Sequence, residues 1–173
     1  SGNAPVETAP NPASLPRPDV TAERAAQPRP EDERGVVIER DYDVPVDKIL
    51  EYHQLWLETR GEDGERADLV GEDLAGYDFS DANLTNADLR DANFSDADFT
   101  NANLEAADLR GAALNAARCR GANFNVAKMR RVDLRLSNMK GATMRGTDLS
   151  GANLEGGAFD NADLTGANLF HTD

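Results

Sequence analysis

From Ala67 onward the sequence repeats every five residues. A large residue, called here the centre, recurs 21 times without an insertion, starting at Leu69 and ending at Leu169: 12 Leu, five Phe, three Met and Cys119. The residue two positions before the centre is alanine in 15 repeats, and the residue directly before it is Asp or Asn in 16. A period of five fits neither the 3.6-residue period of an α-helix nor the two-residue period of a strand. It predicts a repeat architecture built from short, identical sides.

The two residues that follow each centre are predicted to turn a corner. The small residue and the centre point inward, and the Asp or Asn between them points outward. A type II turn needs a positive φ at its second central position, which Gly, Asn and Asp adopt at little cost. Glycine falls almost only at that position in the repeats, with Gly157 as the exception. Val126, Arg131 and Leu136 occupy the same position and predict a different type of turn there.

The repeats resemble the pentapeptide-repeat family. Ala82-Asn83-Leu84-Thr85-Asn86 and Ala87-Asp88-Leu89-Arg90-Asp91 match its A(D/N)LXX unit. The resemblance implies an all-β solenoid, a right-handed quadrilateral β-helix with four repeats per coil and about five coils over residues 67–173. Many bacterial members have a helical leader, and residues 49–66 resemble it.

Three segments are expected along the chain. Residues 1–35 hold seven of the eight prolines and predict an extended or disordered tail. Residues 36–66 predict an edge strand at Val36-Val37-Ile38 and a helix over about 44–60. That helix is expected to start at Asp43-Val44-Pro45 and to end at Gly61 as C-cap. Its apolar face would cap the N-terminal coil through Ile49, His53, Trp56 and Leu57. Residues 67–173 form the β-helix.

Most chemical functions find no support in the sequence. We predict no catalytic, cofactor-binding or metal-binding residues, because neither histidine has a neighbouring nucleophile and Cys119 is a core position. A weak cation on the column Asp68, Asp88 and Asp108 is a disfavoured alternative to solvated carboxylates. The net charge of −14 argues against direct nucleic-acid binding, and no apolar run could span a membrane. No secretory signal is visible, which favours a cytoplasmic location.

Charge divides the repeats into three bands. Residues 67–108 carry a net charge of −10, residues 109–145 a net charge of +8, and residues 146–173 a net charge of −5. With four repeats per coil, Arg90, Arg110 and Arg130 would stack in one column with Lys128 and Arg131 beside its end. Arg120 and Lys140 would stack in a second column.

Two interpretations of these columns weigh equally. In the first, the band binds an anionic surface of a partner, since arginine suits carboxylate and phosphate. In the second, its side chains pair with acids of adjacent coils such as Asp91, Asp108 and Asp133.

The favoured function is a non-enzymatic protein-protein interaction or scaffold module. The partner would contact the basic band, the tail or the C-terminal end at Phe170, where an apolar β-edge could also join copies into a homo-oligomer. The resemblance suggests a first alternative, a DNA mimic that binds a type II topoisomerase such as gyrase. A secreted bacterial effector is a second alternative, and an enzyme is the least favoured.

Overall fold

Residues 67–173 form a parallel β-solenoid in which each coil stacks on the one before it. The computed structural model describes residues 44–173, so the predicted tail, the strand at 36–38 and Asp43 lie outside the described residues. Seventeen parallel bridges, each one residue long, join positions 20 apart, from Asp68↔Asp88 to Asp148↔Asn168. The bridges fall into four columns, and successive columns lie one repeat apart along the chain. Coils 1 to 5 are numbered here from residues 67–86 to residues 147–166.

The centres fill the interior, as the sequence predicts. The side chains of Phe79, Phe94 and Phe99 are buried and form one ring cluster, with centroid distances of 4.9–5.6 Å. The alanines two positions before the centres are also buried in the middle coils. Burial declines at the C-terminal end, where Leu169 is 43% exposed. Each coil therefore depends on its neighbours for the burial of its apolar residues.

The backbone hydrogen bonds explain the Asp or Asn before each centre. In the repeat 107–111, the N–H groups of residues 107, 108, 109 and 111 donate to backbone carbonyls at 2.8–3.1 Å. Only the N–H of Arg110 lacks a backbone acceptor, and Asp108 Oδ1 accepts it at 3.3 Å. The same side-chain bond forms in fifteen of the 21 repeats. A short polar side chain at this position thus satisfies the fifth N–H of the repeat.

The corner residues have the predicted positive φ. This includes the three corners at which the sequence predicted a different type of turn. Val126, Arg131 and Leu136 have φ of 52°, 58° and 57°, close to the 57–62° of the Asp, Asn and Ala corners. The residue after each of them donates its N–H to the carbonyl of Phe124, Met129 or Leu134, at 3.0–3.3 Å, which is the hydrogen bond that closes the other corners too. The prediction of a different turn is wrong, because the inter-coil hydrogen bonds on both sides fix the corner.

Each of these three large corner residues lies against a glycine of the next coil. A Cβ built on Gly146 would lie 3.4 Å from Val126 Cγ1. A Cβ built on Gly156 would lie 2.7 Å from Leu136 Cδ2. A Cβ built on Gly151 would lie 3.4 Å from Arg131 Cγ. The glycines therefore leave room for the side chain that lies one coil earlier.

Gly157, the exception in the sequence, is a packing glycine. It has no positive φ, and a Cβ there would lie 2.6 Å from Phe159 Cε2. The Phe159 ring fills the space that alanine takes in most other repeats.

Helix α1, Val46–Glu58, precedes the solenoid. Val46, Ile49 and Leu50 pack against the core, His53 is buried, and Trp56 stacks on the His53 ring at 5.7 Å. Leu57 is half-buried. The Tyr77 hydroxyl of coil 1 donates to Asp47 of α1, and this bond raises the pKa of Tyr77 to about 12.

The helix ends differ from the prediction. The N-cap is Pro45, which makes no side-chain capping bond, so proline precedes the first helical turn. The C-cap is Thr59 rather than Gly61. Gly61, with φ of 90°, donates its N–H to the Trp56 carbonyl at 2.8 Å, two residues beyond the cap. The glycine closes the end of the helix from outside it.

Replacing Val126 by Gly should stabilise the protein by about 0.5–1 kcal/mol. A left-handed conformation costs a non-glycine residue about 1–2 kcal/mol, partly offset by the greater freedom of glycine in the unfolded chain. Val126 is 55% exposed, so little packing is lost. Urea denaturation measures the change. Ala106→Gly, at the equivalent corner one coil earlier, is the control and should gain less because alanine is not β-branched. A clear loss of stability in Val126→Gly would contradict this account.

Stability should fall as the pH drops below about 6.5, because of His53. Its Nδ1 accepts the Ala67 N–H at 3.0 Å, and its Nε2 is buried without a well-formed hydrogen bond. Burial lowers the pKa of His53; the Thr85 backbone opposes this shift, and the charge of Arg66 adds to it. The unfolded state therefore binds the proton first, at a cost of up to about 1.4 kcal/mol per pH unit until the folded pKa is reached.

Thermal unfolding between pH 7.5 and 5 measures this slope. His53→Gln keeps an acceptor for Ala67 but cannot titrate in this range, so its slope should be smaller. Equal slopes for both proteins would rule out His53 as the cause.

Candidate interaction surface

The predicted arginine column is present. Asp91 and Gly111 donate their N–H groups to the carbonyls of Arg110 and Arg130, both at 3.0 Å, so that Arg110 lies between Arg90 and Arg130 along the solenoid axis. These residues border a groove of about 380 Å³. Its lining is Arg90, Asp91, Arg110, Gly111, Arg130 and Arg131.

Two of the column's guanidinium groups are neutralised by carboxylates. Asp88 accepts from Arg90 Nε and Nη2 at 2.7 and 2.9 Å. Asp108 accepts from Arg110 Nε and Nη2 at 2.8 and 2.7 Å. In both pairs the acid precedes the arginine by two residues on the same coil. Bidentate pairs of this kind fix the guanidinium plane as well as its charge.

The partners of the arginines differ from the expected ones. Asp108 and Asp133 do pair with arginine, but Asp133 pairs with Arg135, two residues later on its own coil, at 2.6 Å. Hydrogen bonding by Arg135 outweighs burial and lowers the pKa of Asp133. Burial acts to raise the pKa of Asp108, yet the bonds from Arg110 outweigh it and the pKa is lowered. Asp91 forms no ion pair within residues 44–173.

Pairs between adjacent coils do occur, but they join the basic band to the acidic bands on either side. Arg118 contacts Asp98 of coil 2 at 3.0 Å. Lys140 and Arg145 contact Asp160 and Asp163 of coil 5 at 3.1 and 2.6 Å. Exposed pairs contribute little individually, about 0–1 kcal/mol each. Together they neutralise the borders of the band.

Four cations of the band remain available to a partner. Within the part of the chain that the structure describes, Arg120, Lys128 and Arg131 form no ion pair. Arg130 reaches only Asp148, with Nε 3.9 Å from Oδ2. Three of the four, Lys128, Arg130 and Arg131, lie together on coil 4. The number of cations available to a partner is thus much smaller than the number of basic residues in the band.

The remaining predicted residues lie apart from this cluster. Arg120 and Lys140 stack in the expected second column, since Gly121 donates its N–H to the Lys140 carbonyl at 3.0 Å. Phe170, at the C-terminal end, is 67% exposed and contacts only the ring of His171 among aromatic groups of the described residues, at 4.0 Å. Phe170 therefore lies on exposed surface, as expected.

The described residues hold no group of side chains suited to a metal ion. In the column Asp68, Asp88 and Asp108, the last two carboxylates already bind arginines. Burial raises the pKa of the Cys119 thiol, which opposes formation of a reactive thiolate. No helix within residues 44–173 is long and apolar enough to cross a membrane.

Sequence reasoning missed the double role of Asp108 and Asp133. One carboxylate accepts a backbone N–H and binds the arginine two residues later. The signal was present in the frequency of Asp and Asn, whose short side chains can reach that N–H. A solvated outward carboxylate would not have required either of them.

The comparisons with known proteins agree with this architecture. The family profile for pentapeptide repeats matches eight copies, over residues 65–96, 78–115, 117–156 and 147–173. No curated protein matches the chain.

Three solved structures illustrate the likeness. HetL, a pentapeptide repeat protein involved in heterocyst differentiation regulation in the cyanobacterium Nostoc sp. strain PCC 7120, is 31% identical; the match covers 63% of this chain and 60% of HetL, with a TM-score of 0.34. The pentapeptide repeat protein alr5209 from Nostoc PCC 7120 is 24% identical over 69% of this chain and 93% of its own, with a TM-score of 0.53. A trypsin-treated form of QnrB1, a plasmid-mediated fluoroquinolone resistance protein, is 22% identical over 61% and 72%, with a TM-score of 0.31. The likeness to alr5209 is one of fold, a right-handed β-helix.

Asp133→Ala should cost more stability than Asp133→Asn. The amide keeps the acceptor for the Arg135 N–H, now at 3.1 Å, and loses only an exposed ion pair, so we expect a cost below about 1 kcal/mol. Alanine leaves that N–H without its acceptor, at a cost of about 1–3 kcal/mol. Urea denaturation of both variants measures the difference. Equal costs would mean that the ion pair, not the backbone bond, is the main contribution of Asp133.

Proposed function

This chain belongs to the pentapeptide-repeat family, and from that premise we propose that it is a non-enzymatic module that binds another protein through its basic band. The family is in general a structural and interaction fold. The observation that carries the proposal is the group of cations on coil 4 without close ion pairs, Lys128, Arg130 and Arg131. Most other cations of the band pair with acids among residues 44–173, so these three and Arg120 are the ones available to an acidic partner.

We infer that the coils are quadrilateral and that α1 caps the N-terminal coil. Four bridge columns and four left-handed corners in each coil support a square cross-section. The packing of Ile49 and the bond from Ala67 to His53 support the capping role. A square rod presents flat walls whose side chains are held in register by the backbone. Such walls suit a scaffold that binds with little rearrangement.

Replacing Arg120 and Arg131 by Glu tests the proposal. Neither side chain forms an ion pair within the described residues, so the exchange should leave the fold intact while it lowers the net charge of the band from +8 to +4. We expect partners crosslinked to the full chain in cells to lose at least tenfold in recovery. Lys48→Glu with Arg60→Glu, two exposed cations outside the band, is the charge-matched control. Unchanged recovery with the band variant would exclude the basic band as the contact surface.

A topoisomerase-binding DNA mimic remains the second prediction. The acidic coils 1 and 2 favour it, and the basic band that interrupts them does not. A gyrase supercoiling assay with the purified chain distinguishes the two functions. The tail, the end at Phe170, a homo-oligomer through that end, the effector role and the cytoplasmic location also stay predictions.

A further inference from the structure

The chain shows how a carboxylate binds an arginine on its own surface. Asp108 accepts the Arg110 N–H at 3.3 Å and its Nε and Nη2 at 2.8 and 2.7 Å. Asp133 accepts the same three groups of Arg135, at 3.1, 2.9 and 2.6 Å. One carboxylate thus satisfies a backbone donor and a guanidinium together. The arrangement recurs in these two repeats because in each the acid precedes the arginine by two residues.

Arg130 occupies the same position one coil later, but the residue two positions before it is Lys128. Among residues 44–173, no group accepts the Arg130 N–H, and its guanidinium reaches only Asp148 at 3.9 Å. Arg145 is the informative contrast. Its repeat also lacks the acid, since Thr143 stands there, yet Asn125 accepts its N–H at 2.8 Å and Asp163 accepts from its Nε at 2.6 Å.

The charge of the surrounding groove limits what can bind there. Its four guanidinium groups, Arg90, Arg110, Arg130 and Arg131, face three carboxylates, Asp88, Asp91 and Asp108. At its edge Lys128 adds one positive charge, and Asp148, which lies 3.9 Å from Arg130, adds one negative charge. One net positive charge remains, which a single carboxylate balances and a phosphate dianion exceeds.

We propose that Arg130, with Lys128 and Arg131 beside it, is a binding site for one carboxylate of an acidic partner. The carboxylate accepts the Arg130 N–H and guanidinium in the geometry that Asp108 shows for Arg110, and Lys128 contributes the additional charge. The inference rests on the proposed function and names its point of contact. It also accounts for Lys128, which stands where Asp88, Asp108 and Asp148 stand in the same bridge column.

NMR titration of the full chain with hexaglutamate, amidated at its C-terminus, tests the site. The backbone amide and Nε–H of Arg130 should shift most. Arg90 and Arg110 serve as internal controls, because Asp88 and Asp108 already occupy their guanidinium groups. Shifts at Arg130 no larger than those at Arg110 would overturn the proposal.

Lys128→Asp provides the decisive variant. It restores the acid of the column, so we expect it to raise the melting temperature and to weaken hexaglutamate binding at least tenfold. Lys140→Asp makes the same charge change in the band without supplying an acid to Arg130, and its effect should be less than threefold. Equal weakening by both variants would overturn the specific site in favour of general charge attraction.

Two further ligands identify the anion, and one further variant with its control tests the contribution of Arg131. A neutral peptide with a free C-terminal carboxylate tests whether the site binds a chain terminus. If it shifts the NMR signals of Arg130 as strongly as hexaglutamate does, the bound carboxylate belongs to a chain terminus rather than to a side chain. Inorganic phosphate binding more tightly than hexaglutamate would overturn the carboxylate assignment. Arg131→Gly installs the residue found at the same corner at positions 71, 111 and 151. It should weaken hexaglutamate binding about threefold, whereas Leu136→Gly, which also replaces a large left-handed corner residue, should not.

If Lys128→Asp leaves hexaglutamate binding unchanged while the Arg120 and Arg131 exchange abolishes partner recovery, the carboxylate site is wrong and the proposed function stands. If Lys128→Asp removes binding but the exchange leaves recovery unchanged, the site exists and the partner contacts another surface.

Discussion

The other features of this solenoid depend on one constraint, the register of its backbone hydrogen bonds. This register places each residue above the one four repeats earlier. It gives four of the five N–H groups in a typical repeat a backbone acceptor and leaves one to a side chain. From this follow the inward centres, the left-handed corners and the preference for Asp or Asn before each centre. The hydrophobic interior stabilises the coils, but the backbone bonds determine which residue lies above which.

The sequence predicted the β-solenoid because its period can be satisfied in few ways. The centres, the small residues and the glycine corners each correspond to one requirement of the coil. The prediction failed where local preference opposed the register. At Val126 and Leu136 the side chain disfavours a positive φ, yet bonds to the coils above and below hold the corner in place. Local propensity is the weaker effect when both neighbouring coils are fixed.

The candidate site was predictable in position but not in charge. The register alone placed Arg90, Arg110 and Arg130 in one column. Which of them is free depends on whether the residue two positions earlier is an acid whose carboxylate faces the guanidinium. Asp88 and Asp108 meet this condition and Lys128 does not, and the pairing itself is visible only in the side-chain geometry. The C-terminal end of α1 at Thr59 was likewise not predictable from residue types alone, because the glycine that closes the helix lies beyond the cap.

The fixed length of a coil also limits how such a gene can change in length. Removing one repeat between Arg110 and Arg130 would shift every later residue by one column relative to the earlier coils, so Arg130 would no longer stack on Arg110 although each remaining repeat kept its sequence. Arg131 and Leu136 would keep Gly151 and Gly156 as neighbours, because both members of each pair lie downstream of the deletion. Whole-coil duplications and deletions keep the columns aligned, whereas the loss or gain of a single repeat misaligns the columns before it with those after it.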